Sequence, residues 1–423
     1  MKHQILTSLI IFGLFAYSAN AQAVLENKVY EDNIQTVRLY PESDQFSDQF
    51  QSPAVPLNAS MALVLEFDDI AYEADRYSAK LIHCNADWTV SGLKDADFLV
   101  NYNEFNLDEY AYAIDTRIPY IHFTFRVPRV TKSGNYLLKV YRGRNEKEVI
   151  LTQRFMVYNN QVNIGAQVVP PSQTTKRQSS QQINFNINYG DREVVDPMNQ
   201  IKVLIRQNQR WDNAITGLKP TFIREDRSVL EYQIFDGSNI FSAGNEFRFI
   251  DLRYVRTRGR NIASINIEED AVFAETTVDQ PRDKEPYLEY LDLNGQYAVF
   301  NFEKQNHGLE SEYVLTTFNF RSQPMSSPPY VLGALSSWGR NPEAKMEYNE
   351  EKGLYQATLL LKQGWYDYQY GIPTDRGWDI QELEGENFQT ENEYEILVYY
   401  RAIGSRYDEL IGYTVLNPNK RRL

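Results

Sequence analysis

Apolar and polar residues alternate with a period of two along many short segments of this chain. In the clearest example, Ile183 to Tyr189, every second residue is apolar. The segments Ile121 to Val127 and Tyr366 to Tyr370 repeat the pattern. Because successive side chains of a strand point to opposite faces, this alternation predicts short strands with one buried face.

The segments that connect these strands predict the fold class. No segment has the pattern of a capped amphipathic helix of three or more turns, and the many tyrosines and phenylalanines favour strands. Asn294-Gly295 lies between two apolar runs and predicts a two-residue hairpin. Many short strands separated by turns indicate an all-β fold of tandem β-sandwiches of the immunoglobulin or fibronectin type.

The first 21 residues predict a secretory signal peptide, residues 1–21. Lys2 and His3 precede an apolar run from Ile5 to Tyr17, and Ala19-Asn20-Ala21 has the small-x-small pattern of a cleavage site. No later segment approaches the roughly 18 apolar residues of a membrane helix, and the residue directly after the cleavage site is Gln22, not a cysteine that could carry a lipid. We therefore expect an exported, soluble protein without direct membrane insertion.

The remaining chain is long enough for about three domains. We predict an N-terminal sandwich at residues 22–160, a middle sandwich at 161–322 and a C-terminal sandwich at 323–423. The stretch from Ser322 to Pro329 contains three prolines and predicts the linker before the last module.

The negative net charge argues against nucleic acid and anionic lipid as partners. Lys and Arg number 43 against 57 Asp and Glu, a net charge of −14. Such an acidic chain is a poor candidate for binding nucleic acid or an anionic lipid surface. Cys84 is the sole cysteine, and it is either a reactive or intermolecular thiol or a small buried side chain.

No catalytic, metal or cofactor motif is present. His83 and Cys84 are neighbours, but on a strand they point to opposite faces and cannot pair locally. The sequence lacks a Gly-x-Ser-x-Gly elbow, a His-Glu-x-x-His motif, a cysteine pair and a glycine-rich loop that opens a helix. We predict that the protein is not an enzyme and has no cofactor; the enzymatic alternative is a hydrolase with an unmarked carboxylate pair.

Several motifs of polar and aromatic residues are more specific than the alternation, and they occur in a particular order along the chain. They are His83 to Trp88, Gln207 to Asn213, Leu218-Lys219-Pro220, Gly244 to Arg248, Leu361 to Tyr366, Thr390 to Tyr394, Ile396 to Arg401 and Arg406 to Asp408. Together, over about residues 25 to 413, they resemble the plug protein family of the bacterial type 9 secretion system. One departure is Ala113 to Thr116, where the family often has Ser-x-Asn-Thr.

The resemblance implies a function and a location. Members of this family occur in the periplasm of Bacteroidota. They bind the periplasmic mouth of the very large outer-membrane β-barrel through which type 9 cargo leaves, and they close that mouth while the channel is not engaged. The implied partner is this translocon barrel, and the implied location is the periplasm, at the outer membrane only through the barrel.

Tryptophan and arginine residues, most of them in the motifs, are candidate contacts with the partner, because such side chains anchor many interfaces when exposed. The candidates are Trp88, Arg210, Trp211, Arg248, Trp338 and Trp378. The alternative is a structural network in which Arg210 pairs with an acid such as Asp212, while Asn245 and Asn392 bond turn backbones.

A second resemblance concerns the last module. Val331 to Ala334, Trp338, Tyr355 to Leu361 and Tyr366 to Tyr370 are similar to segments of the glycogen-binding sandwiches that stack sugars on tryptophan. This similarity implies an alternative function, a periplasmic or surface carbohydrate-binding protein that uses Trp338, Trp365 or Trp378.

Overall fold

The computed structural model describes residues 25–43, 45–59, 62–375 and 377–417, and the predicted signal peptide lies outside them. Within these ranges 43% of the chain is strand and 7% is helix, in several separate sheets, none of which closes. The predicted all-β fold of tandem sandwiches is confirmed. No helix in the described part of the chain is long and apolar enough to cross a membrane.

The first module is a sandwich of two sheets. One sheet has the order β1-β10-β9-β5-β6, with β3 parallel to β10, and the other has the order β2-β4-β8-β7. The elements are β1 (Lys28–Val29), β2 (Ile34–Pro41), β3 (Ala54–Pro56), β4 (Leu63–Asp69), β5 (Tyr77–Cys84), α1 (Asp95–Phe98), β6 (Phe105–Asn106), β7 (Tyr110–Tyr112), β8 (Ile121–Arg126), β9 (Gly134–Arg142) and β10 (Val149–Tyr158).

The middle module begins after β10. Its first sheet has the order β11-β12-β16-β15, with β17 paired to β12, and its second begins with β14 and β13. The elements are β11 (Asn163–Val169), β12 (Ser180–Asn188), α2 (Pro197–Gln200), β13 (Ile201–Gln207), β14 (Ile215–Thr216), β15 (Phe222–Arg224), β16 (Val229–Tyr232) and β17 (Ile240–Ser242).

The third module is inserted before the middle one is complete. Its sheets are β19-β20-β22-β25-β24 and a sheet in which β18, β21, β23 and β27 all pair with β26. The elements are β18 (Arg248–Asp251), β19 (Ile262–Ile267), β20 (Val272–Asp279), β21 (Tyr297–Val299), β22 (Tyr313–Phe320), β23 (Tyr330–Leu332), β24 (Glu347–Asn349), β25 (Leu354–Lys362), β26 (Gly364–Thr374), β27 (Gly377–Asp379) and α3 (Gln381–Glu384).

The last two strands, β28 (Tyr394–Tyr400) and β29 (Glu409–Leu416), return to the middle module. β28 pairs with β13 and β29 pairs with β28, so the second sheet reads β14-β13-β28-β29. This arrangement differs from the linear division predicted at residue 322, because β20 and β22 lie in one sheet with β25 across that boundary. The middle sandwich is thus built from two separate parts of the chain.

The predicted hairpin at Asn294-Gly295 is also not formed. The turn itself is present, with φ of 53° at Asn294 and 78° at Gly295. The residues before it form no strand, because Asp292 and Leu293 are held by other bonds: Asp292 Oδ2 accepts from the Phe247 amide, and the Leu293 amide donates to the Asp367 carboxylate. The strand after the turn, β21, pairs with β26 instead.

Each sandwich has its own apolar core, and a fourth apolar cluster joins the first and middle modules. Cys84, Trp88 and Met156 of the first module pack there against Leu397 and Tyr399 of the middle module. Burying this face removes apolar surface from water at a gain of about 25 cal/mol per Å². The first and middle modules are therefore packed against each other through a shared apolar interface.

Candidate functional site

The three modules meet around a cleft with a cavity of about 270 Å³. The first module contributes the β2 region, the segment that follows it, and β10; the middle module contributes the end of β13 and the turn after it. The third module contributes the start of β21, the turn after β23, and β27. Side chains with aromatic or polar groups line it, among them Arg38, Gln153, Arg154, Arg206, Trp211, Gln296, Trp338, Arg340 and Trp378. We call this region the central cleft.

A tight turn after β13 directs Trp211 into the central cleft. Asn208 and Gln209 have left-handed φ angles of 52° and 60°. The Asn208 side chain holds the turn, because its Nδ2 donates to Asn392 Oδ1 at 2.7 Å and its Oδ1 accepts from the Glu393 amide at 2.9 Å. The motif residues around Trp211 thus fix the backbone that presents it.

A second tight turn places Trp338 on the opposite wall. It follows a short 3-10 turn, and Ser337 and Trp338 have φ angles of 50° and 58°. The Ser336 hydroxyl donates to the Val331 carbonyl at 2.7 Å, and the Trp338 amide donates to the Gly333 carbonyl at 2.8 Å. These bonds satisfy the turn backbone and hold the indole in place.

The wall contributed by the first and middle modules is a stack of tryptophan and arginine. Trp88 and Trp211 meet edge to face with ring centroids 4.9 Å apart. The Arg154 guanidinium lies 4.4 Å from the Trp88 ring and 5.0 Å from the Trp211 ring, and Arg206 lies 4.1 Å from the Trp211 ring. Desolvated cation–π contacts of this kind contribute about 2 kcal/mol each.

The Arg210 side chain bridges the middle and third modules. Its guanidinium lies 4.4 Å from the Trp338 ring, and its Nη2 donates to Asp212 Oδ2 at 2.6 Å. The ion pair of Arg210 with Asp212, which the structural alternative expects, is present. Asn245 and Asn392 also bond backbone carbonyls, those of Glu384 and Ala243.

Five of the six predicted contact residues therefore lie at or next to the central cleft. Trp211, Trp338 and Trp378 line it, Arg210 covers Trp338, and Trp88 lies behind Trp211. Trp378 packs against Tyr330 with ring centroids 5.0 Å apart. All four tryptophans are buried or partly buried; Trp88, Trp211 and Trp338 contact groups of a neighbouring module, whereas Trp378 packs within the third module.

Arg248 lies outside the cleft. Its Nε donates to Glu384 at 3.1 Å and its Nη1 donates to Asp279 at 3.1 Å, while Arg282 Nε donates to the same Glu384 at 2.5 Å. Burial alone would raise the pKa of Glu384, but the guanidinium groups of Arg248 and Arg282 lower it below its usual range. Arg248 braces the third module internally.

Sequence reasoning missed the arginines that give the cleft its charge. Arg38, Arg206 and Arg340 each have a carboxylate partner: Glu66 at 2.5 Å, Glu395 at 2.9 Å and Glu26 at 2.9 Å. Arg154 has none among the described residues; its Nε donates to the Leu25 carbonyl at 2.7 Å. Burial, with Arg340 and Arg206 nearby, lowers the pKa of Arg154 to about 10.

Two buried carboxylates lie behind the third-module wall. Asp367 accepts bonds from the amides of Leu293 and Gly295 and from Trp365 Nε1 at 2.9 Å. Burial raises the pKa of Asp367 to about 7, and burial with the nearby Asp367 charge raises that of Asp292. Their bonds to backbone amides make them supports of the turn at Asn294. No group of three or more His, Cys, Asp or Glu in the described ranges is arranged to hold a metal ion.

Comparisons with known proteins find a matching family model and a similar solved structure. Residues 34–159 match the family described as "Type 9 secretion system plug protein 1st domain". A hypothetical protein from Parabacteroides merdae ATCC 43184, known from a crystal structure at 2.30 Å resolution, superposes with a TM-score of 0.88 at 30% identity, over 94% of this chain and 100% of that one. Trypsin-activated alpha-2-macroglobulin from Escherichia coli gives a TM-score of 0.16 at 8% identity, over 90% of this chain and 28% of that one, which carries no argument. No curated protein matches the chain.

Proposed function

We propose that this chain, whose residues 34–159 match the first domain of the type 9 secretion system plug protein family, is a plug subunit that binds and closes the periplasmic mouth of the outer-membrane translocon barrel. In this role it gates protein export. It resides in the periplasm and is held at the outer membrane through the barrel. The observation that carries the proposal is the family match, which begins with β2 at residue 34 and ends one residue after β10.

The joints between the modules support a role as a rigid cap. The first and third modules are linked by Lys362 and Asp68, whose Nζ and Oδ2 atoms lie 2.6 Å apart, and both side chains are buried. The first and middle modules are linked by Trp88 and Trp211. A body that closes a wide pore must resist being pulled apart, and buried links between its modules provide that resistance.

An exposed apolar edge formed by the first and middle modules is a suitable contact with the barrel. Val100 and Tyr102, just after α1, are 86% and 82% exposed, and Ile403, in the loop between β28 and β29, is 79% exposed. This loop lies beside α1, because Arg406 donates to Asp97 at 3.0 Å. Such side chains can serve as the apolar core of a larger contact, and a stable interface buries on the order of 1,000 Å² or more. We call Val100, Tyr102 and Ile403 the apolar edge.

Affinity purification from the native bacterium tests the proposal. The tagged protein is expressed from its own locus, the outer membrane is solubilised in mild detergent, and co-purifying proteins are identified by mass spectrometry. We expect a stoichiometric, very large barrel. Recovery of the protein without any barrel contradicts the proposal.

A matched pair of variants tests the contact. Tyr102→Asp places a charge on the apolar edge and should abolish co-purification of the barrel. Leu288→Asp changes a residue of the third module that is 71% exposed, and it should leave the barrel bound. Equal recovery of the barrel with both variants would exclude the apolar edge as the contact.

Carbohydrate binding is the second candidate function, and the tryptophans that line the central cleft favour it. Against it, Arg210 covers the Trp338 ring, and Trp365 stacks on Phe249 at 4.3 Å outside the cleft. A glycan array that shows binding by the wild type, and loss of that binding in Trp378→Ala, would support this function instead.

A further inference from the structure

Among the described residues of the central cleft, Arg154 is the arginine that forms no ion pair; Glu26, which pairs with Arg340, offsets its charge only in part. Arg154 is 7% exposed, and no carboxylate in the described part of the chain lies within ion-pair distance of it. The other arginines of the cleft each have such a partner. A buried guanidinium without an anion is unfavourable, because burial removes its hydration.

The orientation of Arg154 leaves part of its guanidinium available. Its Nε and Nη2 both donate to the Leu25 carbonyl, and the rings of Trp88 and Trp211 flank its charged group. No hydrogen bond to a described residue uses Nη1. Because Arg154 lines the cavity, an anion that enters the cleft can bond this nitrogen.

The rest of the cleft suits a peptide. The cavity of about 270 Å³ is large enough for roughly nine waters, and therefore for one acidic side chain with part of its backbone. The side-chain amides of Gln153 and Gln296 bond no other described group, and they can pair with peptide N–H and C=O groups. Trp211 and Trp378 offer apolar walls for the aliphatic part of the side chain.

We propose that the central cleft binds the carboxylate of an acidic residue from a partner polypeptide, with Arg154 as the cation that receives it. This site is separate from the apolar edge, so the proposal does not depend on barrel binding. The guanidinium and carboxylate form a charge-assisted hydrogen bond in a site shielded from water, where such bonds are strongest.

The test uses the full mature chain labelled with 5-fluorotryptophan and observed by ¹⁹F NMR. The probes are a capped Gly-Glu-Gly tripeptide and its Gly-Gln-Gly counterpart, which differ only in charge and one polar group. The Glu peptide should shift the resonances of Trp211 and Trp378 but not that of Trp365, and the Gln peptide should bind at least about tenfold more weakly, as expected for loss of one charge-assisted bond. Equal binding of the two peptides, or no shift with either, overturns the proposal.

Two variants and one further probe complete the test. Arg154→Met should weaken binding of the Glu peptide about tenfold or more, whereas Arg144→Met, at an exposed site between β9 and β10, should leave it unchanged. If Arg154→Met does not fold, the difference in affinity of the wild-type protein for the Glu and Gln peptides still tests whether the central cleft binds a carboxylate. Tighter binding of glucuronate than of the Glu peptide would overturn the assignment to a polypeptide and identify an acidic sugar as the ligand.

Discussion

Asp68 and Lys362 lie 294 residues apart in the chain, yet their side chains form an ion pair of 2.6 Å with almost no exposure to water. Asp68 Oδ2 also accepts from the Tyr313 hydroxyl at 2.6 Å, and Lys362 also donates to the Gly308 carbonyl at 2.7 Å. The pair joins β4 of the first module to β25 of the third. It therefore ties the stability of each module to their correct docking.

Lys362→Met should destabilise the protein strongly. It leaves Asp68 buried beside Glu66 with one cation fewer, and breaking one side of a buried pair costs about 3–5 kcal/mol. The loss is the difference in the free energy of unfolding between the wild type and the variant, measured by urea unfolding. Lys352→Met is the control, since Lys352 is half exposed and lies 3.9 Å from Glu275, and it should cost less than about 0.5 kcal/mol. Similar losses in both variants would refute the assigned role of the pair.

Stability should fall as pH rises above about 6.5, the ordinary pKa of histidine, because of His122. Its Nδ1 lies 2.6 Å from Asp68 Oδ1 and its Nε2 lies 3.7 Å from Glu66 Oε1. Burial alone would lower the pKa of His122, but these two carboxylates raise it. A raised folded-state pKa gives a contribution that is complete below the unfolded pKa and is lost as pH rises through the folded one.

The variant His122→Gln isolates this contribution. Its free energy of unfolding should depend less on pH above 6.5 than that of the wild type, as measured by urea unfolding at a series of pH values. Asp367, whose pKa burial raises to about 7, also makes the protein less stable as pH rises, but at more acidic pH than His122 does. Asp367 is present in both proteins, so its effect cancels in the comparison. Identical pH profiles would show that His122 is not the group responsible.

Gly295→Ala should disturb the wall of the central cleft. Gly295 has φ of 78°, and an added Cβ would lie 2.6 Å from the Trp338 ring and 2.7 Å from the Phe247 ring. Backbone strain and the clash together should cost about 2–5 kcal/mol. Gly353→Ala, with φ of 64° but nothing within 4 Å, carries only the strain, about 1–2 kcal/mol. Thermal unfolding should separate the two variants, and equal midpoints would contradict the clash.

The thiol of Cys84 should be unreactive in the native protein. The side chain is fully buried, and burial raises the pKa of the thiol to about 12, so very little thiolate is present at pH 8. A thiol reagent should label the chain slowly in buffer and rapidly in guanidinium chloride, because the thiolate is the reacting species. Rapid labelling of the native protein would favour the reactive thiol considered from the sequence.

Loss of the protein should open the channel. If it closes the barrel, a deletion strain should admit large antibiotics or dyes through its outer membrane, and the wild-type gene should restore the barrier. Tyr102→Asp should fail to restore it, while Leu288→Asp should succeed. Unchanged permeability in a deletion strain that still contains the barrel would count against the plug function.

The local pattern predicted the positions of the strands well, but not always their burial: Tyr366 to Tyr370 alternates as a half-buried strand would, yet both faces of β26 are buried there. Ile183 to Tyr189 falls almost entirely within β12, and the alternating residues Ile183, Phe185 and Ile187 are buried there. The same logic could not place β28, whose residues are all buried. A strand covered on both faces has no alternation that would indicate its partner.

The charge of the central cleft could not be predicted from the sequence, because it arises where distant segments meet. Arg38, Arg154 and Arg206 lie on different strands, and nothing in their spacing connects them. The one available signal was local: Arg154 stands at the start of the apolar run Phe155-Met156-Val157 in a strand of the first module. A charged residue at a buried strand position indicates a specific partner or a site.

The return of the chain into the middle module affects the order in which the protein can fold. β13 (Ile201–Gln207) receives its central partner β28 (Tyr394–Tyr400) only after the entire third module has been made. Until then one side of β13 is an open strand edge with apolar residues on its face, the kind of surface that pairs with other chains. A molecule truncated shortly before Tyr394 should therefore aggregate even though its first and third sandwiches contain all their strands.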